Sequence, residues 1–176
     1  MGRMAILCPS PRRWARGAAT LGAATVLGLH VFVVQVSVVR GHSMEPALLD
    51  GDRLVVERPG LVHDAEDVQR FDVIILGNPR EPSVDYVKRV VGLPGERVAL
   101  RSGRLHIDGA PVDEAFAPIF DGDTTEDVAV PAGYVWVLGD NRPVSADSRD
   151  FGLVPIELIR GRVCARVWPP ARVSMF

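Results

Sequence analysis

Lys88 is the only lysine among the 20 basic residues of this chain; the other 19 are arginine. A guanidinium keeps its proton at every pH an enzyme meets, so the single amine is a candidate for the one task arginine cannot perform, which is to lose a proton. A lone lysine is also what an arginine-rich coding bias leaves behind, and the decision rests on its neighbours. Lys88 stands in Asp85-Tyr86-Val87-Lys88-Arg89-Val90-Val91-Gly92-Leu93-Pro94-Gly95-Glu96, a strand pattern closing in a tight turn. Alternation puts Tyr86, Lys88 and Val90 on one face and Val87, Arg89 and Val91 on the other. An amine on an apolar face is desolvated, which lowers its pKa. Free lysine titrates near about 10.4 and is under roughly 1% neutral at pH 8, so base chemistry requires that shift.

A nucleophile candidate lies upstream, in Gly41-His42-Ser43-Met44-Glu45-Pro46. Glycine before and proline after hold Ser43 at a sharp bend, where its hydroxyl is presented and backbone N–H groups can converge on a developing oxyanion. Taken alone, a serine between glycine and proline is most often a turn residue. Paired with a neutral Lys88, it gains a base that can take the hydroxyl proton and return it to a leaving amine. Histidine is the weaker choice of base. His42 is adjacent to Ser43, and neighbouring side chains on an extended chain point to opposite faces. His30 lies in an apolar run, and His63 and His106 occupy polar turn or hairpin surroundings. A third cluster, from Gly139-Asp140-Asn141 through Ser145-Ala146-Asp147-Ser148-Arg149 to Pro155, packs short polar side chains between apolar runs. Such a density must make local hydrogen bonds or line a site.

These residues need elements to position them. Gly17 to Val39 is a 23-residue stretch without Asp, Glu, Lys or Arg, long enough to cross a hydrocarbon core of about 30 Å. Arg3, Arg12, Arg13 and Arg16 precede it with no acidic residue, so the positive-inside rule leaves the N-terminus in the cytoplasm and sends the remainder across. The run exceeds the apolar region of a cleavable signal peptide and has no polar face, unlike a helix on a soluble core. The expected organisation is a cytoplasmic N-terminus over 1–14, a transmembrane anchor over 15–35 and an extracytoplasmic domain over 36–176. The β-branched end, Val31 to Val39, reads as strand, with the chain leaving the bilayer extended.

Beyond the anchor, short apolar runs alternate with turn signals: Arg53–Glu57, Asp72–Leu76, Tyr86–Val91, Arg97–Leu100, Arg104–Ile107, Val128–Val130 and Tyr134–Leu138. That pattern predicts a mainly β domain of antiparallel hairpins, with a hairpin across Ser102-Gly103 and an acidic excursion within about 99–130. Past the first four arginines, 16 basic residues face 22 acidic ones, so nothing resembles a nucleic-acid footprint. Cys8 and Cys164 fall on opposite sides of the expected membrane, and no C-x-x-C spacing suggests a metal.

Taken together, the three segments resemble one family, the type I signal peptidases, which are membrane-anchored serine proteases with a Ser-Lys dyad. Ser-Met-x-Pro, Tyr-x-Lys-Arg-x-x-Gly-x-Pro-Gly-Glu, and Gly-Asp-Asn followed by Ser-x-Asp-Ser-Arg-x-x-Gly-x-Val-Pro occur in that family's order from the anchor to about Arg162. The resemblance implies that Ser43 is the nucleophile and Lys88 the general base, with Ser145 orienting the amine. It further implies a supporting Asp147–Arg149 ion pair, and a wall beside it shaped by Gly139 and Asp140. Some members carry, two residues before the nucleophile, a serine that helps bind the oxyanion. Gly41 stands there here, which leaves that task to backbone N–H groups at Ser43 and Gly41 and suggests that Gly41→Ser is neutral or helpful. Ala47 replaces a common threonine, and Pro143-Val144 a usual polar pair.

The family cuts secretory preproteins carrying signal peptides after small residues, commonly Ala-x-Ala, at the outer surface of the cytoplasmic membrane. Small-residue specificity requires shallow apolar pockets, for which Val39 and Gly41 on the expected Ser43 face and Tyr86 and Val87 beside Lys88 are wall candidates. The implied partners are preproteins and the lipid bilayer, without nucleic acid, metal or organic cofactor. A self-cleaving regulator of the related Ser-Lys type would need a DNA-binding module and an internal cleavage loop. A membrane-tethered binding domain would leave three chemically coherent segments unexplained, and a processing enzyme dedicated to one pilin or exported peptide fits the same motifs.

Overall fold

A computed structural model describes residues 34–57, 67–118, 122 and 124–176. The expected cytoplasmic segment and nearly all of the expected anchor lie outside these residues, and among the described residues no helix is long and apolar enough to cross a membrane. The described residues form twelve strands, which pair antiparallel throughout, as the spacing of apolar runs and turns implies.

The larger sheet contains β1 (Val34–Val38), β2 (Arg53–Glu57), β11 (Ile159–Trp168), β3 (Val73–Asn78), β4 (Glu81–Gly92), β9 (Tyr134–Leu138) and β10 (Val154–Pro155) in that spatial order, with β12 (Ser174–Met175) paired to β11. The smaller sheet has the order β7 (Ala110–Pro111), β6 (Arg104–Ile107), β5 (Arg97–Arg101) and β8 (Val128–Ala129). Its β5–β6 hairpin turns on Ser102 and Gly103, both at positive φ (49° and 74°), the backbone that matches the twist of the flanking strands. The described part of the acidic excursion, between β7 and β8, contains neither helix nor strand.

β1 begins at Val34, where it pairs with Glu57, inside the stretch Val31 to Val39 that reads as strand. One element differs from the sequence reading. The ten-residue β11 was not expected at all, yet it lies between β2 and β3 near the middle of the sheet. Its buried face alternates Ile159 and Val163 with the small Gly161 and Ala165, so the apolar alternation that marks a strand is faint. Gly161 is required by packing: a Cβ there would fall 2.4 Å from the Glu57 carbonyl oxygen and 2.6 Å from Val56 Cγ1.

Apolar burial is divided among three clusters. Val39, Met44, Leu48, Leu54, Val56, Val73, Ile75 and Val163 pack one face of the β2–β11–β3 region and hold the loop after β1. Ile74, Leu76, Val90, Val137 and Ile156 pack another region of the large sheet, with Tyr86 against it. The smaller sheet closes on Val91, Trp136 and Leu138 through Val98, Leu100 and Leu105.

Candidate active site

Lys88 is placed by the sheet. In β4, Lys88 pairs with Ile74 of β3, and the next residue, Arg89, pairs with Leu138 of β9 on the other edge. Burial rises along β4, from exposed Asp85 through half-buried Tyr86 and Val87 to Lys88 at 3% exposure. The amine lies 5.1 Å from the centroid of the Tyr86 ring. Desolvation by this burial is the main reason the Lys88 pKa falls to about 8. Arg149 pushes in the same direction, while the Asp147 and Asp140 carboxylates oppose it.

Ser43 arrives by a different route. After β1 the chain leaves the ladder, and Gly41 adopts φ +90°, a left-handed conformation favouring glycine. A turn follows, closed by Leu48 N–H donating to the Met44 carbonyl at 2.8 Å, with Met44 and Leu48 buried in the core as anchors. Asn141 grips the loop from outside: its backbone N–H donates to the Ser43 carbonyl and its side-chain Nδ2 to the His42 carbonyl, each at 3.0 Å.

The two routes meet with Lys88 Nζ 2.8 Å from Ser43 Oγ and 3.1 Å from the Val87 carbonyl. A cleft of about 660 Å³ opens over this pair, and Val39, Gly41, Tyr86 and Val87 all line it, as do Val144 and Ala146. The grouping of Val39 and Gly41 does not come from strand alternation, because β1 ends at Val38 and Gly41 reverses the backbone. His42 also borders the cleft, but its Nδ1 is engaged with Glu45 Oε1 at 2.8 Å, an acidic contact that raises its pKa.

The third segment forms the floor. Asp147 is fully buried; its Oδ2 accepts the Gly139 N–H at 3.0 Å, and the Arg149 guanidinium pairs with both its oxygens at 2.8 Å. The same carboxylate caps the one-turn helix Ser148–Phe151, accepting Arg149 N–H while Asp150 reaches back to the Asp147 N–H. Gly139 is glycine because a Cβ would sit 2.2 Å from Ser145 Oγ and 2.5 Å from the Ser43 carbonyl oxygen. Asp140 takes both arms of Arg89, at 2.9 and 2.7 Å, in a buried bidentate pair, and Phe116 stacks on that guanidinium at 4.0 Å.

Two expected roles are not visible in the hydrogen bonding. Ser145 Oγ is buried against Gly139 with no hydrogen-bond partner among the described residues, while Lys88 donates to Ser43 and Val87. Gly41 is not a free oxyanion donor, since its N–H is held by Asp50 Oδ1 at 2.9 Å. Open space surrounds the missing Gly41 side chain, but the positive φ makes a serine there strained rather than neutral. The Ser43 N–H makes no hydrogen bond to any described residue, which leaves it available to an oxyanion. Sequence reasoning assigned no role to Arg89, Asn141 or Arg142, whose Nε donates to the Gly139 carbonyl at 3.0 Å while its Nη2 pairs with Glu114. Arg89 and Asn141 stand in the quoted motifs, but their roles are not legible there because their partners lie 51 and 99 positions away.

A serine hydroxyl in direct contact with a desolvated amine, beside an unengaged backbone donor, is the arrangement of a serine hydrolase whose base is lysine. Residues 12–168 match the family model described as signal peptidase, peptidase S26, and the chain belongs to that family. Signal peptidase I of Bacillus caldolyticus is 41% identical over 90% of this chain and 91% of its own length. A mitochondrial ATP-independent inner membrane protease subunit 1a of Arabidopsis thaliana is 37% identical, over 81% of this chain and 77% of its own. A crystal structure of a signal peptidase I from Enterococcus faecalis is 36% identical and aligns with 54% of this chain and 95% of that one, with a TM-score of 0.47.

Proposed function

We propose that the chain is a single-pass membrane serine endopeptidase that removes signal peptides from secretory preproteins through an acyl-enzyme on Ser43. The observation that carries this reading is the 2.8 Å contact between Ser43 Oγ and the buried Lys88 amine. The ammonium donates across that contact, and the neutral amine accepts the Ser43 proton over the same distance. As Oγ bonds to the scissile carbonyl carbon, Lys88 takes the hydroxyl proton and the carbonyl oxygen becomes an oxyanion facing the Ser43 N–H. Collapse breaks the C–N bond, and the Lys88 ammonium returns the proton to the leaving amine. Lys88 then deprotonates a water that attacks the ester, releasing the acid and restoring Ser43.

Val39, Tyr86 and Val87 give the cleft an apolar wall beside the dyad, which suits small side chains such as those of Ala-x-Ala. The four arginines ahead of the apolar run support an N-terminus in the cytoplasm and a catalytic domain outside. Purified full-length chain in detergent should cleave a peptide after Ala-x-Ala, and Ser43→Ala should fall to the uncatalysed rate. Cleavage that survives in Ser43→Ala removes the reading.

A further inference from the structure

The C-terminal end of the chain takes no part in the dyad, yet it holds the loop that carries the nucleophile. Asp52, at the end of that loop, is 2% exposed, and its Oδ2 accepts the Leu49 N–H at 2.8 Å. Two arginines converge on the carboxylate: Arg166 of β11, with Nη1 3.4 Å from Oδ2, and Arg172 of the turn after it, with Nη1 3.2 Å from Oδ1. One carboxylate does not neutralise two guanidiniums, and the remaining donors go to the loop backbone. Arg172 Nη2 lies 3.3 Å from the Pro46 carbonyl and 3.4 Å from the Ala47 carbonyl, and Arg166 Nη1 also donates to Ala47. Arg166 Nε donates to the Arg172 carbonyl, tying the turn Pro170–Arg172 to the strand.

The carbonyls of Pro46 and Ala47 stand three and four residues beyond Ser43, at the open end of its turn, where backbone acceptors lack partners within the turn itself. Asn141 fixes the opposite side of the same loop through the carbonyls of His42 and Ser43. A planar guanidinium can bridge a carboxylate and neighbouring carbonyls at once, which a lysine ammonium cannot reproduce in the same geometry. We infer that Arg166 and Arg172 are positioning residues, a C-terminal latch that sets the approach of Ser43 Oγ to Lys88. The inference rests on the peptidase reading, because its kinetic consequence is a lower kcat for peptide cleavage.

The test compares wild type, Arg172→Gln, Arg172→Lys and a control, Arg70→Gln, in full-length chain well below each melting midpoint. Arg70 holds the Val91 carbonyl and Glu96, away from the nucleophile loop. The latch lowers kcat about tenfold in Arg172→Gln and at least threefold in Arg172→Lys, with KM within twofold and the pH midpoint of kcat unmoved, whereas Arg70→Gln keeps wild-type kcat. Wild-type kcat in Arg172→Gln, or an equal fall in Arg70→Gln, overturns it. If Arg172→Gln shows no folded transition, Arg172→Lys decides, and wild-type kcat there overturns the latch. Hydrogen exchange at the Leu48 amide supplies a readout that needs no activity: at least tenfold faster in the Arg172 variants supports the latch, and unchanged exchange sinks it. A wild-type chain that cleaves nothing therefore counts against the peptidase reading, while exchange still judges the latch.

Discussion

Ser43 and Lys88 touch, but the molecule holds them by opposite means. Lys88 sits inside a ladder, with β3 and β9 flanking its strand, so its position is set by backbone pairing that tolerates most changes of neighbouring side chain. Ser43 lies outside every strand and is located by a glycine at positive φ, two buried anchors and hydrogen bonds from Asn141. Substitutions around the nucleophile should therefore cost activity more than stability, and those beneath the base should cost stability first.

Gly139→Ala tests the nucleophile side most severely. Its Cβ would intrude on both the Ser43 carbonyl and Ser145, and displacement of a reacting group by about 1 Å costs on the order of 100-fold. We expect kcat/KM to drop by at least that factor with a cooperative melting transition retained; near-normal activity would show that the floor of the site yields easily.

Arg89→Lys probes the strand side. It breaks the bidentate pair and leaves Asp140 buried with half its partners, so urea denaturation should register a loss of about 2–4 kcal/mol, accompanied by a fall of roughly tenfold in kcat. A large kinetic loss with unchanged stability would erase the distinction between the two sides.

Asn141→Ala is expected to have the smallest effect. The backbone N–H to the Ser43 carbonyl survives and only the Nδ2 bond to His42 is lost, a change of about 1 kcal/mol and roughly fivefold in rate. Steady-state kinetics should show this in kcat, with the melting midpoint little altered.

Much of this could be read in the sequence because it depends on residue type and local spacing. The lone amine, the serine between Gly41 and Pro46, the polar cluster after Gly139 and most strands announced themselves that way. What stayed hidden depends on contacts distant in sequence or on backbone angles. The partners Arg89 and Asp140 are separated by 51 positions. The occupied N–H of Gly41 has no signature in a residue string, nor does the unpartnered Ser145 hydroxyl. β11 was missed because the close approach of β2 demands glycine where a strand pattern would show a large apolar residue.

The most direct test of the dyad is the pH dependence of Ala-x-Ala peptide cleavage by wild type and Lys88→Arg in the full-length chain. Burial lowers the Lys88 pKa from 10.5 to about 8, so the neutral base accumulates as pH rises through that value. Wild-type kcat/KM should climb with a midpoint near 8, and Lys88→Arg, folded and still cationic, should remain at background across the range. Cleavage by Lys88→Arg at close to the wild-type rate, with the same pH profile, would make Lys88 a structural cation and contradict the dyad.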